Sequence, residues 1–354
     1  FTLPAFTAAV FNGSIVVVAL ITRTIDGLVW GLLLGSLLQI VAQLPAMRDA
    51  KLRWQLDWRH PALRRIMRLY APIVVGLLVD QVARAVSYNL AIGTGDESLN
   101  YMRRATTLIQ FPLGSAATAL SVAILPTLSQ QANGRLTEFK QPLAGGMRLV
   151  SVLILPATLG LLALATPIVS LLFEYGRFTT ADTDATALVL RVYLLGLPFA
   201  AIAQMLVFAS YARKDTLRPA LVGVISMVVY LIVAFLLIEP LGLLSLMVAD
   251  AVKLVVHTLL MLWLLRVKIG GLKGLGTLPT LLKATVAATL MGGATLGIVQ
   301  LLADTLPLVS FINKVGIVLA GGLTGVVVYG LLALLLNIEE IKTLPQLLLK
   351  RKAG

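Results

Sequence analysis

The chain has 354 residues, of which 58% are hydrophobic and 13% charged, and it contains no cysteine. A mean hydropathy of +0.94 excludes a water-soluble globular protein, because so much apolar surface is stable only when lipid covers much of it. The net charge of +13 is spread over short loops, one of which also carries Trp54 and Trp58. This distribution favours anionic lipid headgroups as partners and argues against nucleic acid.

Ten apolar stretches follow one another along the chain, and each has close to the roughly 20 residues that a helix needs to cross a bilayer. They predict an all-α, polytopic transmembrane helix bundle. The predicted spans are 4–22, 27–45, 70–93, 104–127, 146–173, 184–210, 219–238, 241–265, 279–303 and 311–336.

The Lys and Arg residues between the spans lie almost entirely on alternate loops. With residue 1 on the inner side, the inner loops and tail hold twenty of them and the outer loops three, Arg23, Arg177 and Lys314. Arg103 and Arg104 lie at a border. The positive-inside rule therefore predicts that both ends of this chain are cytoplasmic.

Charged residues inside the spans are costly in lipid, so each is a candidate functional group. Asp80 and Arg84, four apart in the third span, are spaced to pair along one helix face, and Asp250 and Lys253 in the eighth span are three apart. Such a pair either neutralises itself between packed helices or belongs to a site. The spacing alone leaves both alternatives open.

Four arginines in or beside the spans, Arg103, Arg104, Arg148 and Arg191, have no acidic residue at helical spacing. If they face the interior of the bundle, they suit an anionic substrate such as a phosphate or pyrophosphate. The alternative is that their long side chains reach the lipid headgroups, above all for Arg148 near the inner boundary.

Enzyme chemistry has little support in the sequence. The two histidines, His60 in a loop and His257 in a span, are far apart, and no zinc-protease, nucleophile-elbow or phosphate-loop motif occurs. We therefore expect no catalytic residues, no metal site and no cofactor.

Two segments carry a family resemblance. Phe-Glu-Tyr-Gly-Arg-Phe-Thr at 173–179 follows an outer helix end, and Tyr-Ala-Arg-Lys-Asp-Thr at 211–216, with a proline shortly after, lies on an inner loop. Together they resemble the MurJ (MviN) lipid II flippases, and Phe111-Pro112 in the fourth span is a further match. The motif residues singled out in these loops are Glu174, Gly176, Arg177, Arg213, Lys214 and Asp215.

The resemblance implies a fourteen-helix protein with two lobes, of the multidrug/oligosaccharidyl-lipid/polysaccharide exporter superfamily. The ten spans would then be helices five to fourteen, with the first four outside this chain. It also implies four segments: 1–45 as the last two helices of an amino-terminal lobe, 46–69 as a basic cytoplasmic linker, 70–268 as a six-helix carboxy-terminal lobe, and 269–354 as two extra helices that form a lipid-tail groove, with a cytoplasmic tail.

The implied function is to move lipid II, an undecaprenyl-pyrophosphate-linked peptidoglycan precursor, across the bacterial plasma membrane by alternating access. The headgroup would enter a cationic cavity between the lobes. The residues predicted to contribute to that cavity are Asp80, Arg84, Arg103, Arg104, Thr107, Gln110 and Arg148.

The chain also departs from the family pattern. Thr106-Thr107 replaces an Asp-Arg pair before Phe111, and Gln110 lies where an acid can occur. Family members that bind sodium use an Asn/Asp pair where this chain has Tyr230 and Ala234. Two alternatives therefore remain: an exporter of another polyprenyl-linked glycan, or a non-transporting membrane scaffold.

Overall fold

The computed structural model describes residues 2–47, 61–132, 134–272, 274–306 and 310–341, and all regular elements in these ranges are helices. The predicted all-α class is therefore confirmed. Contacts between Cα atoms divide the chain into two units, Phe1–Leu63 and Arg64–Gly354, each described here by itself. Residues 48–60 of the predicted linker and the tail from 342 onward lie outside the described ranges.

The first unit is a helical hairpin of α1 (Thr2–Thr22) and α2 (Ile25–Gln43). The hydroxyl of Thr24 caps α2 by accepting a hydrogen bond from the Gly27 amide at 3.2 Å. Gly31 lets the helices approach closely, because a Cβ atom there would lie 2.9 Å from the Cα of Ile15. Small residues at such a seam are typical of helix pairs in membranes.

The second unit contains eleven described helices. In chain order they are α3 (Pro61–Thr94), α4 (Ser98–Pro112), α5 (Ala119–Gln131), α6 (Leu136–Ala163), α7 (Ala165–Phe173), α8 (Thr180–Leu194), α9 (Leu197–Ala212), α10 (Leu217–Leu241), α11 (Leu244–Ile269), α12 (Thr277–Thr305) and α13 (Phe311–Leu335). The first residues of α3 precede the boundary between the units.

Eight described helices are long and apolar enough to cross a membrane, and nine if the bent pair α8–α9 forms one span. The segment Phe6–Thr22 of α1 is a shorter apolar helix, and it corresponds to the first predicted span, 4–22. The span predicted at 146–173 was wrong in its bounds. The helix begins at Leu136 and ends at Ala163, and α7 follows after a break at Leu164, whose ψ of 9° is not helical.

The fourth span is continuous but locally widened. Pro112 has no amide proton, so the regular bonding pattern fails there, and the next turn, Leu113–Thr118, is π-helical. Leu113, the first residue of this widened segment, lines one cavity inside the unit, and Gln110, one turn earlier, lines a second cavity beside it. The Phe111-Pro112 motif thus lies between two residues that form cavity walls.

The bent pair α8–α9 turns by 44° at Leu195 and Gly196. A Cβ atom on Gly196 would lie 2.8 Å from the Leu254 side chain and 3.2 Å from the Cα of Ala251, so only glycine allows α11 to pass this close. The bend and the glycine together bring the charged segment of α11 against α8.

A core of buried side chains from α3 to α11 holds the second unit together, with Phe139, Leu190 and Met205 almost fully buried in it. α12 packs along α6, and α13 contacts α12 and α7. Smaller apolar clusters around Ala287 and Ile317 join these last two helices to the rest.

Candidate functional site: two joined polar cavities

Two cavities adjoin inside the second unit. The larger, about 430 Å³, lies among α3, α9, α10 and α11, and the smaller, about 230 Å³, among α3, α4, α8, α10 and α11. Both are lined by Met227 and Lys253. The other polar side chains of the larger one are Asp80, Gln204, Tyr211, Ser226 and His257, and those of the smaller one are Arg84, Ser87, Tyr88, Thr106, Gln110, Tyr193, Tyr230 and Asp250.

An ion pair marks the junction of the two cavities. The ammonium of Lys253 donates to the Asp250 carboxylate at 2.5 Å and lies 5.6 Å from the centre of the Tyr230 ring. The Tyr230 hydroxyl in turn donates to the Ser87 hydroxyl at 2.7 Å. The predicted pairing of Asp250 with Lys253 is confirmed, and it lies beside open space.

The predicted pair Asp80–Arg84 was wrong. Neither side chain has an ion pair within 4.0 Å in the described part of the chain, and each lines a different cavity. Helical spacing permits the contact, but both side chains are exposed. An exposed ion pair gains too little free energy to hold two flexible side chains together.

The four charged side chains that line these cavities, Asp80, Arg84, Asp250 and Lys253, balance to zero when His257 is neutral. Neither Arg103 nor Thr107 lines them. The Thr107 hydroxyl donates to the Arg103 carbonyl at 2.9 Å, so the two residues lie one turn apart on an exposed face of α4.

Arg104 lies against aromatic rings and lines neither of the two cavities. Its guanidinium carbon lies 4.4 Å from the centre of the Phe178 ring and 5.2 Å from that of Phe173. One step along an α-helix turns a side chain by about 100°, so Arg103 and Arg104 cannot share a direction. Both aromatic residues belong to the segment 173–179, and that motif therefore packs against the middle of α4.

The remaining residues of this motif fix other helix ends. The Glu174 carboxylate pairs with the buried Lys314 of α13 at 3.4 Å and accepts a hydrogen bond from the Thr183 hydroxyl at 2.8 Å. Gly176 has a φ of +65°, a conformation that favours glycine, and Arg177 is exposed. Burial alone would raise the pKa of Glu174, but hydrogen bonds from hydroxyl groups and the Lys314 ammonium hold that pKa below its ordinary value.

Arg148 is also held by protein groups and lines neither of the two cavities. Its Nε lies 2.6 Å from a carboxylate oxygen of the buried Glu340, and its Nη1 donates to the Leu275 carbonyl at 2.6 Å. These partners come from the segments before α12 and after α13. Arg148 therefore fastens the last two helices to α6 at the predicted cytoplasmic end.

The inner motif likewise lies at helix ends. Arg213 and Lys214 follow α9, and Asp215 precedes α10 and caps it by accepting a hydrogen bond from the Arg218 amide at 3.3 Å. Lys214 is exposed and adopts a φ of +58°.

His257 and Gln204 were missed as lining residues. A signal for His257 was present in the sequence, because Asp250, Lys253 and His257 are spaced by three and four and so lie on one face of an apolar helix. Gln204 gave no such pattern. The described residues contain no group of three or more His, Asp or Glu side chains placed to hold a metal ion.

Taken together, long apolar helices around polar internal cavities define a multi-pass helical membrane protein of the transporter type. More particularly, the chain belongs to the MurJ family, since the family model described as "Lipid II flippase MurJ" matches residues 1–337. The description of this family is that of a transporter.

Individual relatives agree. A "Probable lipid II flippase MurJ" of Bdellovibrio bacteriovorus is 31% identical over 274 residues, which cover 75% of this chain and 52% of the relative. One of Haemophilus influenzae is 32% identical over 209 residues, covering 56% of this chain and 41% of the relative. The chain thus matches about half the length, or less, of these curated relatives.

A solved structure shares the fold. The structure titled "Lipid II flippase MurJ, inward closed conformation" superimposes with a TM-score of 0.72 at 22% identity, over 96% of this chain and 68% of that one. At this identity the match establishes the fold alone.

Proposed function

We propose that this chain forms part of a flippase that moves lipid II from the cytoplasmic to the outer leaflet of the bacterial plasma membrane during peptidoglycan synthesis. The observation that carries the proposal is the family match over residues 1–337. The residues are compatible with it, because the unit combines polar cavities with extensive exposed apolar surface suited to lipid.

Within this proposal, Arg84 and Arg103 are the cations available to a pyrophosphate. Both are exposed and neither has an ion pair within 4.0 Å in the described ranges, whereas Arg104 and Arg148 are occupied by aromatic rings and a carboxylate. Charge-assisted hydrogen bonds from guanidinium groups are the strongest neutralising contacts that a side chain offers to phosphate oxygens.

The test uses the complete reading frame in a strain depleted of its own lipid II flippase. We expect Arg103→Ala to abolish growth, and Thr107→Arg added to it to restore growth, because residue 107 lies one turn away on the same face. Arg104→Ala at equal membrane abundance is the control. Normal growth of the Arg103→Ala strain would contradict the assigned role.

A second candidate is the export of another polyprenyl-linked glycan. It is favoured by Thr106 and Gln110, neutral groups that line the smaller cavity where the family pattern has charged ones, and by the balanced charge of the cavities. Transport assays with lipid II and with a different polyprenyl-pyrophosphate glycan distinguish the two candidates. Transport of the second glycan alone would replace the first proposal.

The orientation is part of the proposal and follows from the distribution of Lys and Arg. A reporter fused after residue 354, or inserted near residue 59, should be cytoplasmic, and one near Thr180 should be external. External activity near residue 59 would invert every leaflet assignment made here.

A further inference from the structure

A small basic pocket lies at the predicted cytoplasmic end of the second unit, where α9 and α11 end and α10 begins. It has a volume of about 20 Å³, enough for a single water molecule or one oxygen of a larger ligand. The side chains that define it are Phe139, Arg213, Asp215, Arg218 and Lys268.

The pocket has an excess of positive charge. Asp215 accepts a hydrogen bond from the Lys268 ammonium, and one of its carboxylate oxygens lies 3.9 Å from the Arg218 Nε. One carboxylate therefore faces three cations. The two charges left over are available to an anion.

Arg213 supplies the most specific observation. Its guanidinium carbon lies 5.4 Å from the centre of the Phe139 ring, and its Nη1 is buried without a hydrogen-bond acceptor among the described residues. A buried cationic N–H group without an acceptor is costly, so the arrangement is complete only when an oxygen ligand enters the pocket.

The surroundings of the pocket are apolar on one side. On α10, Arg218 shares a face with Leu221, which is 52% exposed, and the stripe of exposed apolar side chains continues through Ile225 and Val228. This stripe runs along a candidate membrane span, so acyl chains can lie against it directly below the pocket.

We propose that this pocket binds the phosphate group of an anionic glycerophospholipid headgroup, with the acyl chains of that lipid lying along α10. Arg213 and Arg218 contact the phosphate, and Asp215 holds Lys268 and Arg218 in place around it. The proposal concerns a resident membrane lipid and does not depend on what the protein transports.

The experiment measures binding of dioctanoyl-phosphatidylglycerol to the purified chain in neutral detergent by microscale thermophoresis. We expect Arg213→Gln and Arg218→Gln each to weaken binding by about tenfold or more, since each removes a charge-assisted hydrogen bond. Lys214→Gln is the matched control, because it removes the same charge next to Arg213 from an exposed side chain outside the pocket lining. We expect it to weaken binding by less than about fivefold.

Two further ligands test whether the bound phosphate belongs to an anionic lipid. Zwitterionic dioctanoyl-phosphatidylcholine, and inorganic phosphate at equal ionic strength, should each bind at least about tenfold more weakly than the anionic lipid. Equal loss of binding in the Lys214 and Arg218 variants would show general surface attraction and overturn the site. Equal binding of inorganic phosphate would overturn the assignment to a lipid.

Because Arg213 packs on Phe139, Arg213→Gln also removes a packing contact, and loss of that contact alone can weaken binding. Arg218 is 49% exposed in its side chain, so Arg218→Gln should fold normally, and its unfolding temperature checks this. A folded Arg218→Gln variant that binds phosphatidylglycerol like the unmodified chain would also contradict the proposal.

Discussion

The charged residues of the second unit behave differently where α12 and α13 attach and where α3 lines the cavities. At the attachment of α12 and α13, Arg148 pairs with Glu340 and Lys314 with Glu174, and both pairs join segments that are distant in the sequence. On α3, Asp80 and Arg84 face cavities without ion-pair partners in the described ranges. The attaching pairs therefore fix α12 and α13 in place, and the α3 charges are available to a ligand.

Breaking one of the pairs that attach α12 and α13 should have the largest effect on stability. Glu174→Gln leaves the Lys314 ammonium, which is 5% exposed, without its carboxylate, and such a loss costs about 3–5 kcal/mol. Lys314→Met combined with Glu174→Gln should recover most of that loss. Thermal unfolding of the three variants in detergent is the measurement, and a harmless Glu174→Gln change would show that the pair does not hold α13.

Acid should break the same pair without mutation. The pKa of Glu174 is lower in the folded protein than in the unfolded chain, so the stability it contributes is complete above the unfolded pKa and is lost as pH falls through the folded pKa. The unfolding temperatures of the unmodified chain and of Glu174→Gln should therefore converge as pH falls from 7 to 3. A constant difference over that range would contradict this assignment.

A smaller effect separates the two neighbouring arginines of α4. Arg104→Ala removes contacts with the rings of Phe173 and Phe178 and should cost about 1–2 kcal/mol, whereas Arg103→Ala, at an exposed position, should change stability by less than about 0.5 kcal/mol. Urea titration of both variants in the same detergent provides the comparison. Equal losses would mean that Arg103 is also an anchor.

The smallest expected effect is that of sodium, for which we predict no specific thermal shift. The Tyr230 hydroxyl already donates to Ser87, and its ring lies beside the Lys253 ammonium. Ala234 is buried, and its methyl side chain offers no oxygen to a cation. Exchange of sodium for potassium at equal ionic strength should leave the unfolding temperature unchanged. A shift of several degrees that is specific to sodium would reveal a site that these residues do not explain.

The helices and one of the two local pairs were predictable, because their causes lie within a few residues of one another. The length of the apolar stretches predicted the spans, and the spacing of Asp250 and Lys253 predicted their ion pair. The bounds of α6 and α7 were harder to predict, since the break at Leu164 falls inside a continuous apolar stretch.

Contacts between distant segments were not predictable in the same way. Arg148 has no acid at helical spacing, and only the folded chain places Glu340 beside it. Arg104 is the immediate neighbour of Arg103, yet its partners lie far along the sequence. Phe173 is the last residue of α7, and Phe178 lies between α7 and α8. Sequence spacing therefore identifies candidate cations, but their partners decide which of them remain available.

Growth of a flippase-depleted strain tests most directly whether the unpaired cavity charges of α3 act in transport while the pairs that attach α12 and α13 hold the fold. Two variants of the complete reading frame are compared at equal folded abundance. Arg84→Ala changes a cavity residue, and the double change Glu174→Gln with Lys314→Met removes an attaching pair without leaving a lone charge. We predict that the double variant supports growth and that Arg84→Ala does not. Growth with Arg84→Ala and failure of the folded double variant would contradict the division between the two regions.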